Sequence, residues 1–244
     1  MSPLLRAELL KLRTTRTFVA LVGASLALSL LVVVLTGLLS DEIGPQDARD
    51  LFTADFTGLF IMLLGVIGMA GEWRHRTITG TVLAAPDRLR LMAAKVVAYA
   101  AAGVVLSLIV TATIMLVGTI ILSSRGFDTA ALSDLLDVLW RNLLVAALVG
   151  GLGVCIGGLI RNQVVAIIGV LIIGFVMEPA LFGLVPEVAR FGPTQGAPAG
   201  IQDIEPFGDD TPLLSPAVAV LVMLGWIAAF FTAAAVRLKR RDLV

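Results

Sequence analysis

Six long apolar runs, separated by shorter polar segments, make up most of the chain. A helix of about 20 apolar residues crosses the roughly 30 Å hydrocarbon core of a bilayer. The runs consist mainly of Leu, Val, Ala and Ile, and the alternating segments typical of outer-membrane strands do not occur. The pattern predicts an all-α polytopic membrane protein, a single domain over residues 1–244. Its six transmembrane helices are expected at residues 17–40, 53–71, 96–123, 142–160, 164–183 and 213–236.

Two segments outside these runs have patterns of their own. Residues 2–16 are basic, with Leu5, Leu9 and Leu12 on one side, which favours a helix lying at the membrane interface. A basic flank that only fixes orientation is the alternative. The outer loop 184–212 is rich in proline, glycine and acids, and the apolar pattern is already broken at Glu178. This broken pattern suits non-spanning structure buried in protein.

The basic residues are distributed unevenly between the two sides of the predicted helices. Six spans put both termini on the same side. The N-terminus, the loop 72–95, the turn 161–163 and the C-terminus carry 14 of the 18 Lys and Arg residues. Because basic loops remain in the cytoplasm, we expect both termini and the loop 72–95 to be cytoplasmic.

Composition excludes several classes of function. The chain is 58% hydrophobic and 15% charged, with a mean hydropathy of +1.00, outside the soluble globular range. It has no glycine-rich loop with a following Lys that could cradle phosphates, and no common hydrolase motif. Cys155 and His75 are the only residues of their types, so neither an intramolecular disulfide nor a metal site is expected. Energy for any transport is therefore expected to come from another polypeptide.

The polar segment between the second and third runs has an ordered motif. It begins Glu72-Trp73-Arg74-His75-Arg76-Thr77-Ile78 and continues through Leu83, Pro86, Arg88 and Lys95. With Glu8-Leu9-Leu10-Lys11 near the N-terminus, it resembles the membrane (permease) subunit of bacterial ABC transporters of the type-2 exporter class. That family often has Gly where this chain has Arg76, a difference that concerns the local backbone conformation.

The resemblance implies a set of partners and roles. Two ATP-binding subunits would dock beneath a pair of identical or related permeases in the bacterial plasma membrane. ATP and magnesium would be bound by those subunits, and this chain would bind no cofactor and would not be an enzyme. The segment 178–212 would form re-entrant helices that cap the exit pathway. Residues 2–16 would be an elbow helix that includes Glu8 and Lys11. Coupling to the ATPase would involve Glu72, Trp73, Arg74, Arg76, Thr77, Pro86, Arg88 and Lys95.

Three polar side chains in or near the runs are candidates for the pathway or its gate. Ser107 and Thr111 share one helical face and could line a path, although such residues more often let helices approach closely. Glu178, near membrane depth, needs a partner or water. Arg141 is a candidate partner, and solvation in the outer loop is the alternative. Gly150, Gly153 and Gly157 are expected to be helix-packing positions.

The leading hypothesis is a permease subunit of an ATP-driven exporter. Its apolar walls favour a hydrophobic or amphiphilic substrate such as a drug, a peptide or a lipid. One alternative is a non-transporting interaction or sensor subunit that recruits a cytoplasmic partner. A secondary carrier is the other, and the lack of charges at the midplane disfavours it. The lipid bilayer is an expected partner, and nucleic acid is not.

Overall fold

A computed structural model describes residues 2–40, 43–74, 87–160, 162–205 and 212–240 of the chain. Within these residues all regular secondary structure is helical, as the apolar pattern predicts. A π-helical turn, Ile173–Met177, joins two of the helices. The α-helices are α1 (Ser2–Thr14), α2 (Arg16–Leu39), α3 (Pro45–Leu51), α4 (Thr57–Arg74), α5 (Arg88–Ser124), α6 (Leu132–Leu159), α7 (Gln163–Ile172), α8 (Glu178–Leu184), α9 (Pro186–Ala189), α10 (Gly196–Gln202) and α11 (Pro216–Arg240).

Five helical segments of the described chain are long and apolar enough to cross a membrane. They are Arg16–Leu39, Leu89–Ser124, Leu132–Leu159, Gln163–Leu184 and Pro216–Arg237. They correspond to the predicted spans 17–40, 96–123, 142–160, 164–183 and 213–236. The chain is thus a multi-pass helical protein, as predicted.

Helix α4 corresponds to the predicted second span, 53–71, but it is shorter than a typical crossing helix. Its apolar part, Thr57–Glu72, has fewer than the eighteen residues that define the five longer segments. At 1.5 Å per residue this part extends for roughly 24 Å, less than the hydrocarbon thickness. The first residues of the predicted span are not helical, because Asp55 caps the helix by accepting a hydrogen bond from the Thr57 N–H at 2.8 Å.

The predicted loop 72–95 is shorter than the pattern suggested, because both of its ends are helical. Helix α4 continues to Arg74, and α5 begins at Arg88. The Asp87 carboxylate accepts hydrogen bonds from the Leu89 and Arg90 N–H groups, an N-cap that starts α5 there. Lys95 therefore lies two turns inside a helix and not in a loop.

Helix α6 is the centre of the bundle. It packs against α4, α5 and α11, and most of its C-terminal half is buried. A Cβ atom at Gly153 would overlap the Met62 carbonyl oxygen, and one at Gly150 would lie 2.8 Å from the Tyr99 carbonyl oxygen. Neighbouring helices approach α6 at a distance that only glycine allows. The prediction that Gly150, Gly153 and Gly157 are packing positions is therefore confirmed.

Helices α7 and α8 form one continuous segment in spite of Pro179. Proline has no N–H group, and its ring clashes with the carbonyl four residues earlier. The π-helical turn accommodates Pro179, because the Glu178 N–H donates to the Ile173 carbonyl oxygen, five residues back. The predicted interruption at Glu178 is thus a local change of helical pitch.

The predicted outer loop 184–212 contains short helices in its described part. Helices α9 and α10 have four and seven residues, and α10 is almost completely buried. Helix α10 packs against α11 and α6. Both helices are too short to cross a bilayer, in agreement with the predicted non-spanning character.

Candidate coupling and pathway sites

A cluster of four charged side chains joins α1, α4 and α5 at one end of the bundle. The Lys95 Nζ lies 2.6 Å from the Glu8 Oε2 and 2.8 Å from the Glu72 Oε1. The Lys11 Nζ lies 3.0 Å from the Glu8 Oε1 and 3.0 Å from the Glu72 Oε1. Two cations and two anions thus alternate in a neutral ion cluster, Glu8–Lys11–Glu72–Lys95.

The ion cluster is buried except on the Lys11 side. Lys95 is 1% exposed and Glu8 is 3% exposed, whereas about half of the Lys11 side chain is exposed. Burial alone would raise the pKa of Glu8, but the Lys95 and Lys11 ammonium groups outweigh it and lower that pKa. Burial would lower the pKa of Lys11, and its contacts with Glu8 and Glu72 raise it instead. The contacts within the cluster therefore favour the charged forms of Glu8 and Lys11.

A cavity of about 660 Å³ lies beside the ion cluster. Glu8, Lys11, Glu72 and Lys95 all line it, together with the exposed side chain of Arg74. The cluster thus lies where α4 ends and α5 begins, the two helices that flank residues 75–87. Because direct ion pairs join α1 to both helices, a displacement of either helix end would also move α1.

A second polar cluster lies within the bundle, around Asp55. The Ser107 and Thr111 hydroxyls donate to the Asp55 Oδ2 at 2.5 Å and 2.9 Å. The Asn142 side-chain amide donates to the Thr111 hydroxyl at 3.3 Å, and the Gln202 side-chain amide donates to the Asn142 Oδ1 at 2.8 Å. Ser107 and Thr111 are therefore completely buried hydrogen-bonding partners of an acid, and they connect α5 to α6 and α10.

Asp55 lies well inside the bundle, away from the end at which α2 stops. After α2 ends, the chain turns back, and the Phe56 N–H donates to the Ser29 hydroxyl at 3.0 Å. Ser40, which follows α2, is eleven residues beyond Ser29, or roughly 16 Å along a helix. Apolar side chains at that higher level, including Leu38, are exposed, as expected of a lipid-facing surface. The Asp55 carboxylate therefore lies level with the middle of the apolar helix α2.

Glu178 is a buried anchor for the segment that precedes α10. It is 2% exposed. Its carboxylate accepts hydrogen bonds from the Thr194 N–H at 2.8 Å, the Thr194 hydroxyl at 2.6 Å, the Gln195 N–H at 2.6 Å and the Gly196 N–H at 3.1 Å. Four hydrogen bonds thus reach its two carboxyl oxygens, and among the described residues no Lys or Arg forms a salt bridge with it.

Two expectations for Glu178 are therefore wrong. It is not solvated in an outer loop, and Arg141 is not its partner. The Arg141 Nε lies 2.8 Å from the Asp137 Oδ2, and its Nη1 donates to the Ile201 carbonyl oxygen at 3.0 Å. One turn separates Asp137 from Arg141 on α6, so the local pair forms in preference to a distant one.

The polar cluster around Asp55 and the residues that bind Glu178 line the same inner cavity, which has a volume of about 270 Å³. Asp55 lines one part of it, and Thr194 and Gln195, which bind Glu178, line another. Most of the remaining wall is apolar. In the described part of the chain, no group of three or more His, Cys, Asp or Glu side chains is arranged to hold a metal ion.

A comparison with models of known protein families finds a match to most of the chain. A family model described as ABC-2 family transporter protein matches residues 4–177. The chain belongs to the ABC-2 transporter family. The match includes the ion cluster and Asp55, and it ends one residue before Glu178. No curated protein matches the chain.

Family membership confirms the resemblance seen in the sequence. This ABC-2 protein is a permease subunit, the membrane component of an ABC transporter and not its ATPase. An ATP-binding ABC subunit is therefore its partner. Its long apolar helices make it a multi-pass membrane protein.

The predicted coupling residues of this ABC-2 permease have different structural positions. Arg74 is exposed at the end of α4. Glu72 and Lys95 are buried in the ion cluster. Trp73 belongs to α4 and Arg88 belongs to α5, and the structure describes the backbone but not the side chain of each. Arg76, Thr77 and Pro86 lie outside the described residues.

Asp55 is the main polar residue of this permease that sequence reasoning missed. It falls inside the predicted span 53–71, where ionisable groups were considered scarce. A signal was present, because Asp two residues before an apolar helical run is a common N-cap arrangement. An acid at the start of a predicted span is also a functional candidate in its own right.

Proposed function

We propose that this protein is the permease of an ATP-driven exporter, in which residues 72–95 receive the movement of the ATP-binding subunit. The observation that carries the proposal is the ion cluster. It ties both helices that flank the segment to each other and to α1, through contacts of 2.6–3.0 Å. Buried ion pairs resist separation, because breaking one leaves an uncompensated charge. A push on the segment would therefore move three helices together.

In this proposal Arg74 contacts the ATPase directly, and Glu72 and Lys95 position the segment. The proposal also assigns a coupling role to Trp73, Arg76, Thr77, Pro86 and Arg88. Glu8 and Lys11 belong to an interfacial elbow helix, α1, which the extended backbone of Thr15 separates from α2.

The proposed topology has six spans, with α4 as the short second one and both termini in the cytoplasm. Contacts at the basic end support it. Arg237, near the end of α11, donates from its Nη1 to the Leu159 carbonyl oxygen at the end of α6, at 2.6 Å. Gln163, at the start of α7, lines the same cavity as the ion cluster. The segments expected to be cytoplasmic thus share one end of the bundle.

The complete transporter in this proposal contains two permeases, identical or related, and two ATP-binding subunits in the bacterial plasma membrane. ATP and magnesium are bound by those subunits alone. Segment 178–212 caps the exit on the outer side, with Glu178 holding the start of α10 against α8. The substrate is hydrophobic or amphiphilic, because the inner cavity is mostly apolar.

The proposal is tested by reversing the charge of Arg74. The tagged permease is co-expressed with its ATP-binding subunit, and recovery of that subunit is measured for wild type and for Arg74→Glu. Arg190→Glu is the matched control, because the contacts described for Arg190 are local ones, with Glu187 and Phe191 near α9. We expect a several-fold loss of the ATP-binding subunit with Arg74→Glu alone, since like charges across an interface repel. Equal recovery in all three proteins, with normal insertion, would contradict the proposal.

A further inference from the structure

The inner cavity combines an apolar wall with a single carboxylate. Phe56, Met62, Val149 and Phe175 belong to the apolar part of the wall, and Asp55 is the charged group that lines it. Its volume of about 270 Å³ is close to the lower limit for small-molecule pockets, roughly 300 Å³. It is therefore large enough for the head group and the adjoining apolar part of an organic molecule.

The Asp55 carboxylate has hydrogen-bond donors but no cation. It accepts from the Thr57 N–H, the Ser107 hydroxyl and the Thr111 hydroxyl. In the described part of the chain no Lys or Arg forms a salt bridge with it. The basic residues nearer the outer end are engaged elsewhere: Arg49 and Arg141 both pair with Asp137, at 3.2 Å and 2.8 Å.

The other polar side chains of the wall are already occupied. The Gln195 amide donates to the Gly174 carbonyl oxygen at 2.5 Å, and the Gln202 amide donates to Asn142. The Thr194 hydroxyl donates to Glu178. Asp55 is only partly buried, so part of its surface remains open to the cavity. It is thus the group available to a ligand.

We propose that this cavity binds a cationic amphiphile, with its ammonium group on Asp55 and its apolar body against the surrounding wall. A carboxylate in apolar surroundings at membrane depth favours a cation and disfavours an anion. A neutral molecule would leave Asp55 without a counter-ion, and burial would then favour its protonated, uncharged form. The inference deepens the proposed function, and rests on it, by naming organic amines with an apolar body as the substrate class.

Binding to the permease alone, in lipid nanodiscs, tests the proposal. The probes are radiolabelled octylammonium and its neutral counterpart, octanol. Wild type is compared with Asp55→Asn, which keeps the shape and an acceptor for the Thr57 N–H. Asp128→Asn is the matched control, because it removes an exposed carboxylate that does not line the cavity. Asp55→Asn is expected to weaken octylammonium binding roughly ten- to a hundredfold, the range for one charged hydrogen bond. Octanol binding and the control variant should be unchanged.

Equal octylammonium affinity in wild type and Asp55→Asn would overturn the proposal, and so would octanol binding as tightly as octylammonium. A second measurement needs only the wild-type protein. Dicyclohexylcarbodiimide reacts with carboxyl groups in apolar sites, and peptide mass spectrometry locates the adduct. Octylammonium should protect Asp55 and octanol should not; labelling of Asp55 that octylammonium leaves unchanged would overturn the proposal. Neither measurement involves the ATP-binding subunit, so failure here is distinguishable from failure of the Arg74 experiment.

Discussion

Lys95 on α5 and Glu8 on α1 form a buried ion pair of 2.6 Å, although 87 residues separate them in the chain. Glu72 on α4 completes the bridge at 2.8 Å from the same ammonium group. One nitrogen atom thus joins three helices beside the segment proposed to meet the ATPase. The Lys95 ammonium group is almost completely shielded from water. If it is removed, water cannot take its place beside the two carboxylates.

Replacing Lys95 with methionine tests how much the ion cluster contributes to stability. Lys95→Met leaves two buried carboxylates with less compensation, and breaking a buried pair costs about 3–5 kcal/mol. Unfolding of the purified permease in detergent should report a loss of this size. Lys11→Met removes a half-exposed partner that water can partly replace, so we expect a clearly smaller loss. Equal losses in the two variants would show that the cluster is not organised around Lys95.

The lowered pKa of Glu8 makes the cluster sensitive to acid. A carboxylate with a folded-state pKa below its usual value of 4.5 contributes stability that is complete above pH 4.5. That contribution is lost as the pH falls through the lowered folded-state pKa. The difference in unfolding midpoint between wild type and Glu8→Gln should therefore be constant from neutral pH to about 4.5 and should narrow below it. A difference that acid leaves unchanged would contradict the assigned ion pairs.

Gly153 tests the close approach of α4 and α6. In Gly153→Ala the added methyl group would overlap the Met62 carbonyl oxygen, and overpacking of this kind typically costs 1–3 kcal/mol. Gly169→Ala is the matched control, because a Cβ there has nothing within 4 Å. The control should be neutral or slightly stabilising, since alanine favours a helix. Thermal unfolding of the two variants measures the difference, and a Gly153→Ala protein as stable as the control would contradict the described contact.

The helical body was predictable because its signal is continuous along the chain. Runs such as 17–40 and 213–236 are long and apolar enough to specify a helix without knowledge of any neighbour. Helix ends were less predictable, because they depend on single capping groups such as Asp87 and Asp55. Those two residues account for the early start of α5 and the late start of α4.

The sequence singled out several residues of these sites, but it did not show which of them contact one another. Glu8, Glu72 and Lys95 were all candidates, yet Glu8 and Lys95 were assigned to different elements. Their contact depends on how α1 folds back against α5, which no local pattern encodes. For Glu178 the expectation that a buried acid needs a partner holds, but the partner proposed from the sequence, Arg141, was wrong. The real donors to Glu178 are mainly backbone N–H groups near α10, and backbone donors carry no residue-type signal.

The most direct test of the central claim is the side of the membrane on which the segment 72–95 lies. In a Cys155→Ser background, single cysteines are introduced as Arg74→Cys and Asp128→Cys, at opposite ends of the bundle. Intact cells are treated with a membrane-impermeant maleimide before and after permeabilisation. The predicted result is labelling of Asp128→Cys in intact cells and of Arg74→Cys only after permeabilisation. Labelling of Arg74→Cys in intact cells would put the proposed ATPase contact on the wrong side of the membrane and would contradict the coupling role.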